Sequence, residues 1–215
     1  MEFETGYVCG MLAAKGRVNE KGLSISLETA DQELVEIAKR FLSLFGEIKI
    51  RQRERNGLKT SIVMLKGDGV KALTSRGIKT GRREWNVPSE AFSSENFRLG
   101  FLRAFFDFSG TIKFRLRKKG QKERVMKIAS INENGLRQVR ALLDIEGVKV
   151  MLYKSGKSCV LEINGKNNLE IFLKKIGLEK RSKKELLEKA LDPVEFENLV
   201  SHKLHTNSYL EMKSS

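Results

Sequence analysis

Apolar and polar residues follow two rhythms along this chain, one with the period of a helix and one with the period of a strand. The stretches "YVCGMLAAKG" (7–16) and "FLRAFFDFSG" (101–110) are apolar runs of helical length, each stopping at a Gly. "DQELVEIAKRFLSLFG" (31–46) and "NENGLRQVRALLDIEG" (132–147) predict amphipathic helices. Asp31 and Asn132 are their N-caps, and the closing Gly of each is a C-cap. Between these runs the pattern alternates. Residues 17–28 and 111–131 each predict two strands. Residues 47–67 and 148–166 predict hairpins turned at Asn56-Gly57 and Ser155-Gly156. Helices at 68–76 and 167–176 close the two series.

The order αββαββα therefore occurs twice, which predicts an α+β fold of two pseudo-symmetric repeats with antiparallel sheets. The first repeat is placed at 1–76, a linker containing "WNVPSEAFSSE" at 77–95, the second repeat at 96–177, and a basic C-terminal helix and tail at 178–215. Gly6, Gly10 and Ala14 are spaced by four, and Gly100 and Ala104 repeat the spacing. Such a stripe of small residues lets two helix backbones approach closely. Each Gly in a helix interior costs about 1 kcal/mol against Ala, so close packing of the two repeat helices is the expected reason.

Charge adds a partner to this picture. Lys plus Arg number 41 against 27 Asp plus Glu, a formal net charge of +14 in 215 residues. That imbalance favours polyanions. The alternation places it: Lys49, Arg51, Arg53 and Arg55 share one strand face, with Ile48 and Ile50 starting the other. Lys113, Arg115 and Arg117 do the same, while Ile112, Phe114 and Leu116 point to the core. Arg17, Asn19 and Lys21 occupy the equivalent positions of the first repeat, and Lys127 joins the candidate nucleic-acid contacts. An Arg can hold a phosphate or read a guanine edge, and the sequence does not say which Arg does which.

At this point the residues resemble a family. "VCGMLAAKG" (8–16) and "LRAFFDFSG" (102–110) are similar to the motif of the LAGLIDADG homing endonucleases, in their two-repeat monomeric form. The "NVP" at 86–88 resembles the family linker, and "LKGDGVKAL" and "INGKNNLEIFL" resemble the segments that close each repeat. The resemblance implies that the motif helices pack at a pseudo-twofold axis, with their C-terminal ends at the scissile phosphates. It implies two sheets forming a saddle over the DNA major groove. It also implies a penultimate motif acid that binds the divalent metals of hydrolysis. In this chain those two positions are Lys15 and Ser109. Mg²⁺ takes anionic oxygen ligands, an ammonium has no lone pair to give, and a Ser hydroxyl is a poor substitute. Asp107 matches an earlier motif acid and lies about 200° around the helix from Ser109.

The expectation is a sequence-specific double-stranded DNA-binding protein without cleavage activity, serving as a regulator of transcription. No catalytic residue, metal or cofactor is assigned. Two alternatives stand beside it: an RNA-binding maturase-like factor that takes structured intron RNA, and an active or nicking homing endonuclease that draws on Asp107. A monomer is expected, because the pseudo-dimer lies within one chain. With no membrane-spanning run or leader, and with Cys9 and Cys159 read as buried thiols, the chain is expected in the cytoplasm or nucleoid. Other candidates are set aside. "YKSGKS" (153–158) lacks the first Gly of a phosphate loop, and His202 and His205 read as a surface pair in a polar tail. Residues 174–189 read as a solvated basic helix touching backbone phosphate, and Tyr7 and Trp85 as core or interface anchors.

Overall fold

The structure, a computed structural model, describes residues 1–19, 24–55, 57–116 and 121–201. The first repeat runs α1 (Glu2–Lys15), β1 (Gly16–Val18), β2 (Ser24–Thr29), α2 (Gln32–Leu42), a 3-10 turn (Ser43–Phe45), β3 (Glu47–Arg55), β4 (Leu58–Lys66) and α3 (Asp68–Thr74). The short α4 (Glu90–Ser93) lies in the linker. The second repeat runs α5 (Glu95–Ser109), β5 (Thr111–Leu116), β6 (Lys122–Ser130), α6 (Glu133–Ile145), β7 (Met151–Ser155), β8 (Ser158–Asn164) and α7 (Lys166–Lys175). Helix α8 (Arg181–Leu191) and a helical segment over 193–201 follow. Among the described residues no helix is long and apolar enough to cross a membrane.

Each repeat makes a four-stranded antiparallel sheet, ordered β1-β2-β4-β3 in the first and β5-β6-β8-β7 in the second. The two orders are the same when each is counted within its own repeat. The predicted N-caps are in place: Asp31 accepts from the Leu34 N–H at 3.2 Å and Asn132 from the Gly135 N–H at 3.0 Å. Each such cap is worth about 1 kcal/mol. The predicted C-cap Gly46 is reached only through the 3-10 turn after Leu42.

Helices α1 and α5 pack along the small-residue stripe. A Cβ added at Gly6 would stand 2.1 Å from the Phe97 carbonyl oxygen, and one at Gly10 would stand 2.1 Å from that of Phe101. One at Gly100 would stand 2.1 Å from the Phe3 carbonyl oxygen. The pairs Gly6 with Phe97 and Gly100 with Phe3 are reciprocal, as a twofold axis between the helices requires. Ala104 is fully buried and Ala14 partly buried in continuation of the stripe. Around the axis Tyr7, Phe97, Phe101, Phe105, Phe106 and Phe172 are all fully buried. Tyr7 stacks on Phe41 with ring centroids 3.8 Å apart. Cys9 and Cys159 are free and buried, and burial pushes the Cys9 thiol up to about 12.

One expectation needs correction. The segment read as a solvated basic helix is docked at its start. Lys180 pairs with Asp31, and the Ser182 hydroxyl donates to Glu33 at 2.6 Å, so α8 is bound to the N-terminus of α2 in the other repeat. The residues beyond Pro193 also pack. Phe196 and Val200 are buried, and the Arg124 guanidinium lies 3.7 Å from the Phe196 ring centre. The linker mirrors α8 by crossing to the second repeat. The Asn132 side-chain amide donates to the Trp85 carbonyl at 2.5 Å, and the Val87 N–H donates to Gln138 at 3.0 Å. The Trp85 ring covers Gly135, where a Cβ would stand 2.6 Å from ring carbons. Each repeat's trailing segment thus straps the opposite repeat.

Candidate nucleic-acid interface

Strand register sorts the side chains of each sheet. In the first sheet Arg17 pairs with Ser26, Ser26 with Met64 and Met64 with Lys49. Glu28, Ile62 and Arg51 form the next row, and Thr60 with Arg53 the next. These rows share the outward face. The inward rows carry Ile25, Leu27, Val63 and Leu65, all fully buried. The predicted cationic face therefore exists in the first repeat. Ile50 does lie on the core side opposite Val63, but at the sheet edge it stays 42% exposed. Arg17 and Arg51 make no hydrogen bond or ion pair among the described residues. Arg53 meets Glu28 at 3.9 Å and Lys49 meets Glu47 at 3.7 Å. All four of those side chains are substantially exposed, so each pair contributes about 0–1 kcal/mol and leaves its cation available.

The second sheet follows the same rows with different chemistry. Lys113 lies opposite Val125, Arg115 opposite Glu123, and Lys127 opposite Glu162. Arg115 is on the predicted face, but it is held there. Its Nε donates to Glu123 at 2.5 Å, and its Nη1 and Nη2 donate to the two oxygens of Glu162 at 3.4 and 3.1 Å. Glu162 is 1% exposed and also accepts from the Tyr153 hydroxyl at 2.7 Å. The hydrogen bond to Glu123, and then those to Glu162, hold the Arg115 guanidinium above its usual range. Reading a guanine takes two N–H groups on one guanidinium edge, and here neither edge is free. Lys113 and Lys127 remain as point charges. Lys21 and Arg117, and the side chain of Arg55, lie outside the described residues; the Asn19 side-chain oxygen accepts from the Ser24 N–H at 3.1 Å, and its backbone N–H donates to the Ser24 carbonyl.

The two motif helices end at one place. Lys15 closes α1 and Ser109 closes α5, and each is followed by a Gly in extended conformation at the start of a strand. Both line a single cavity of about 760 Å³. Lys15 is exposed and Ser109 half-buried. Asp107 is 1% exposed and accepts three hydrogen bonds, from the Tyr7 hydroxyl at 2.6 Å and from the N–H groups of Glu179 and Lys180 at 3.1 and 3.0 Å. Burial pushes its carboxyl above the usual range, against those bonds and the nearby Lys183, which favour the charge. Asp107 lines the same cavity as Lys15 and Ser109, with its carboxylate taken up by these three bonds. It joins α1, α5 and the start of α8.

A divalent metal at the motif ends does not fit this donor set. The cavity offers an ammonium, a hydroxyl and two carboxylates, of which Asp107 is committed to three donors and Asp31 to the Leu34 N–H and Lys180. Among the described residues no three His, Cys, Asp or Glu side chains gather as metal ligands.

Some structural residues carry no local signal in the sequence. Arg98 is 8% exposed, pairs with the buried Glu146 at 2.6 Å and donates to the Ala91 carbonyl at 3.2 Å. Arg40 of the first repeat and Arg103 of the second both bind Glu179, at 2.6 and 2.8 Å. Lys183 donates to the Phe106 and Asp107 carbonyls at 2.8 and 2.6 Å, covering the C-terminus of α5. Burial holds its ammonium down at about 8.

The comparisons with known proteins agree with this architecture. Residues 96–177 match the LAGLIDADG-like domain. No curated protein matches the chain. Among solved structures, the full-length DUF199/WhiA protein of Thermatoga maritima superposes with a TM-score of 0.61 at 13% identity, over 97% of this chain and 68% of that one. The homing endonuclease I-WcaI, bound to its DNA recognition sequence, gives 0.60 at 11% identity, over 82% of this chain and 81% of its own. I-DmoI in complex with DNA and Mn gives 0.56 at 12% identity, over 82% and 97%. At these identities the likeness shows the fold. The chain has the α+β architecture shared by DUF199/WhiA and the LAGLIDADG homing endonucleases, with a LAGLIDADG-like domain at residues 96–177.

Proposed function

We propose that this protein binds double-stranded DNA sequence-specifically along the outward faces of its two sheets, as a monomer, and does not cut it. The observation that carries this reading is a sheet face of available cations beside motif ends that hold Lys15 and Ser109 where the resemblance implies carboxylates. The DNA-bound I-WcaI and I-DmoI structures support the choice of duplex DNA, because they share the fold. With no chemistry at the axis, occupancy of a site is the output, and regulation of transcription is the use that occupancy serves. Hydrogen-bonded reading of base edges falls to the first sheet, whose arginines have free guanidinium edges.

The test is competition binding at physiological salt, because backbone contacts alone give salt-sensitive affinity. A pool of random duplexes and a structured intron RNA compete for the labelled protein, and supercoiled plasmid is incubated with the protein and Mg²⁺ in parallel. Preferred binding of duplex with intact plasmid supports the proposal. Preference for the RNA, or nicking of the plasmid, refutes it. A second arm uses the double change Lys15→Asp and Ser109→Asp. Cleavage gained by that variant identifies the axis as a vacated catalytic centre.

A further inference from the structure

We propose that the two sheets read different bases, and that the second takes thymine methyl groups on an apolar edge formed by Met151 and Tyr153. The inference rests on the DNA-binding reading above and adds to it the bases of one half-site. Register aligns the two edge strands. Met64 on β4 and Glu162 on β8 each lie three residues before the Gly that precedes the closing helix. Lys49 is opposite Met64, and Met151 is opposite Glu162. In the next row Arg51 is opposite Ile62 and Tyr153 opposite Val160, and in the next Arg53 is opposite Thr60 and Ser155 opposite Ser158. Where β3 presents Lys49, Arg51 and Arg53, β7 therefore presents Met151, Tyr153 and Ser155. The one cation of β7, Lys154, alternates to the other face, where it meets Glu133 at 3.4 Å.

The change of chemistry extends inward from the edge. Val160 and Val125 alternate to the outward face with Glu162 and Lys127, and both are buried there. Met151 and Tyr153 are open, at 54% and 38% exposure. Each is held by a hydrogen bond: the Tyr153 hydroxyl donates to Glu162 at 2.7 Å, and the Met151 sulfur accepts from the Asn164 amide at 3.1 Å. A single exposed apolar side chain is ordinary, but here two stand side by side on one strand face. Lys113 and Lys127 lie on the same face, so the patch sits within a cationic surface and not apart from it. A duplex laid along both sheets meets it. In the major groove guanine offers N7 and O6 to Arg or Lys, and thymine offers its C5-methyl to an apolar side chain. Cytosine would need a carboxylate acceptor, and Glu162 is buried and bound to Arg115 and Tyr153. The target is therefore asymmetric, with guanine in the half under the first sheet and thymine in the half under the second.

The test starts from the duplex that the full chain enriches out of a randomised library. Arg51→Gln, a change of an exposed side chain, marks the half under the first sheet as the one whose base preference it relaxes. Deoxyuridine, which differs from thymidine only in lacking the C5-methyl, then replaces the thymidines of one half at a time. In the second half each lost methyl contact should weaken binding about fourfold, the worth of one buried methyl group, and in the first half affinity should hold. Met151→Ala and Tyr153→Ala should each remove the deoxyuridine effect at one position, and Met151 is exposed enough that its change leaves the fold intact. A second half without thymidine, indifference to deoxyuridine there, or an effect that persists in both variants overturns the proposal while the bound duplex leaves the DNA-binding reading standing. Failure to enrich any duplex removes that reading, and this proposal with it.

Discussion

The two sheets have one strand order and one alternation, and their outward faces differ. In the first, Arg51 has no partner among the described residues, and Lys49 and Arg53 have only exposed pairs at 3.7 and 3.9 Å. In the second, Arg115 also faces outward, on β5, which is the counterpart of β1 and not of β3, and it is held by Glu123 and by Glu162, which is 1% exposed. The difference arises across the strands rather than along them. Thr60 lies opposite Arg53, whereas Glu123 lies opposite Arg115 and Glu162 lies one strand further on. A run of cations on one face is thus a binding surface only where its cross-strand neighbours leave it free.

The largest change to this comparison comes from separating the sheets. Gly10→Ala forces a Cβ into the Phe101 carbonyl, and an overpacked helix contact of this kind costs about 3 kcal/mol. Urea unfolding should show that loss, and an unchanged midpoint would mean the helices are not in backbone contact. Next in size is the first sheet itself. Replacing Lys49, Arg51 and Arg53 together by Gln should weaken duplex binding about a hundredfold and lower the salt slope by about 3. Lys113→Gln with Lys127→Gln should lower the slope by no more than about 2, and equal losses from the two sets would erase the asymmetry.

A smaller effect probes the hold on Arg115. Glu162→Gln should cost about 1–2 kcal/mol of stability by removing charge from a buried acceptor of Arg115 and Tyr153. The freed guanidinium should at the same time raise duplex affinity at low salt. Anisotropy and urea midpoints on the same preparation report both, and unchanged affinity would mean Arg115 does not face the ligand. The smallest effect concerns the strap. The Lys183 ammonium is held at about 8 by burial, below its value in an unfolded chain. The unfolded chain therefore binds more protons between those values, and stability from this group rises as pH climbs from about 8 toward 10. Lys183→Met should flatten that rise in urea midpoints compared at about pH 7.5 and about pH 9.5.

Much of this architecture was legible in the residues. The Gly6, Gly10 and Gly100 spacing named the repeat interface, and at each of the three a Cβ would stand 2.1 Å from a carbonyl oxygen of the opposite helix. Asp31 and Asn132 named their helix starts. What escaped is what depends on partners remote in sequence. Arg115 looks like Arg51 along its own strand, and only register reveals Glu123 and Glu162. The basic run at 174–189 looks solvated because Asp31, Glu33 and Asp107, which receive its first residues, lie at least 70 positions away. Arg98 and Glu146 likewise form a buried pair 48 residues apart, with nothing local to mark them.

The central claim is specific binding without chemistry. It is tested most directly by selection of bound duplexes from a randomised library at physiological salt with Mg²⁺ present. The account predicts enrichment of one long site recovered with both strands intact. Recovery of strands cut at a fixed position, dependent on Mg²⁺, would contradict it.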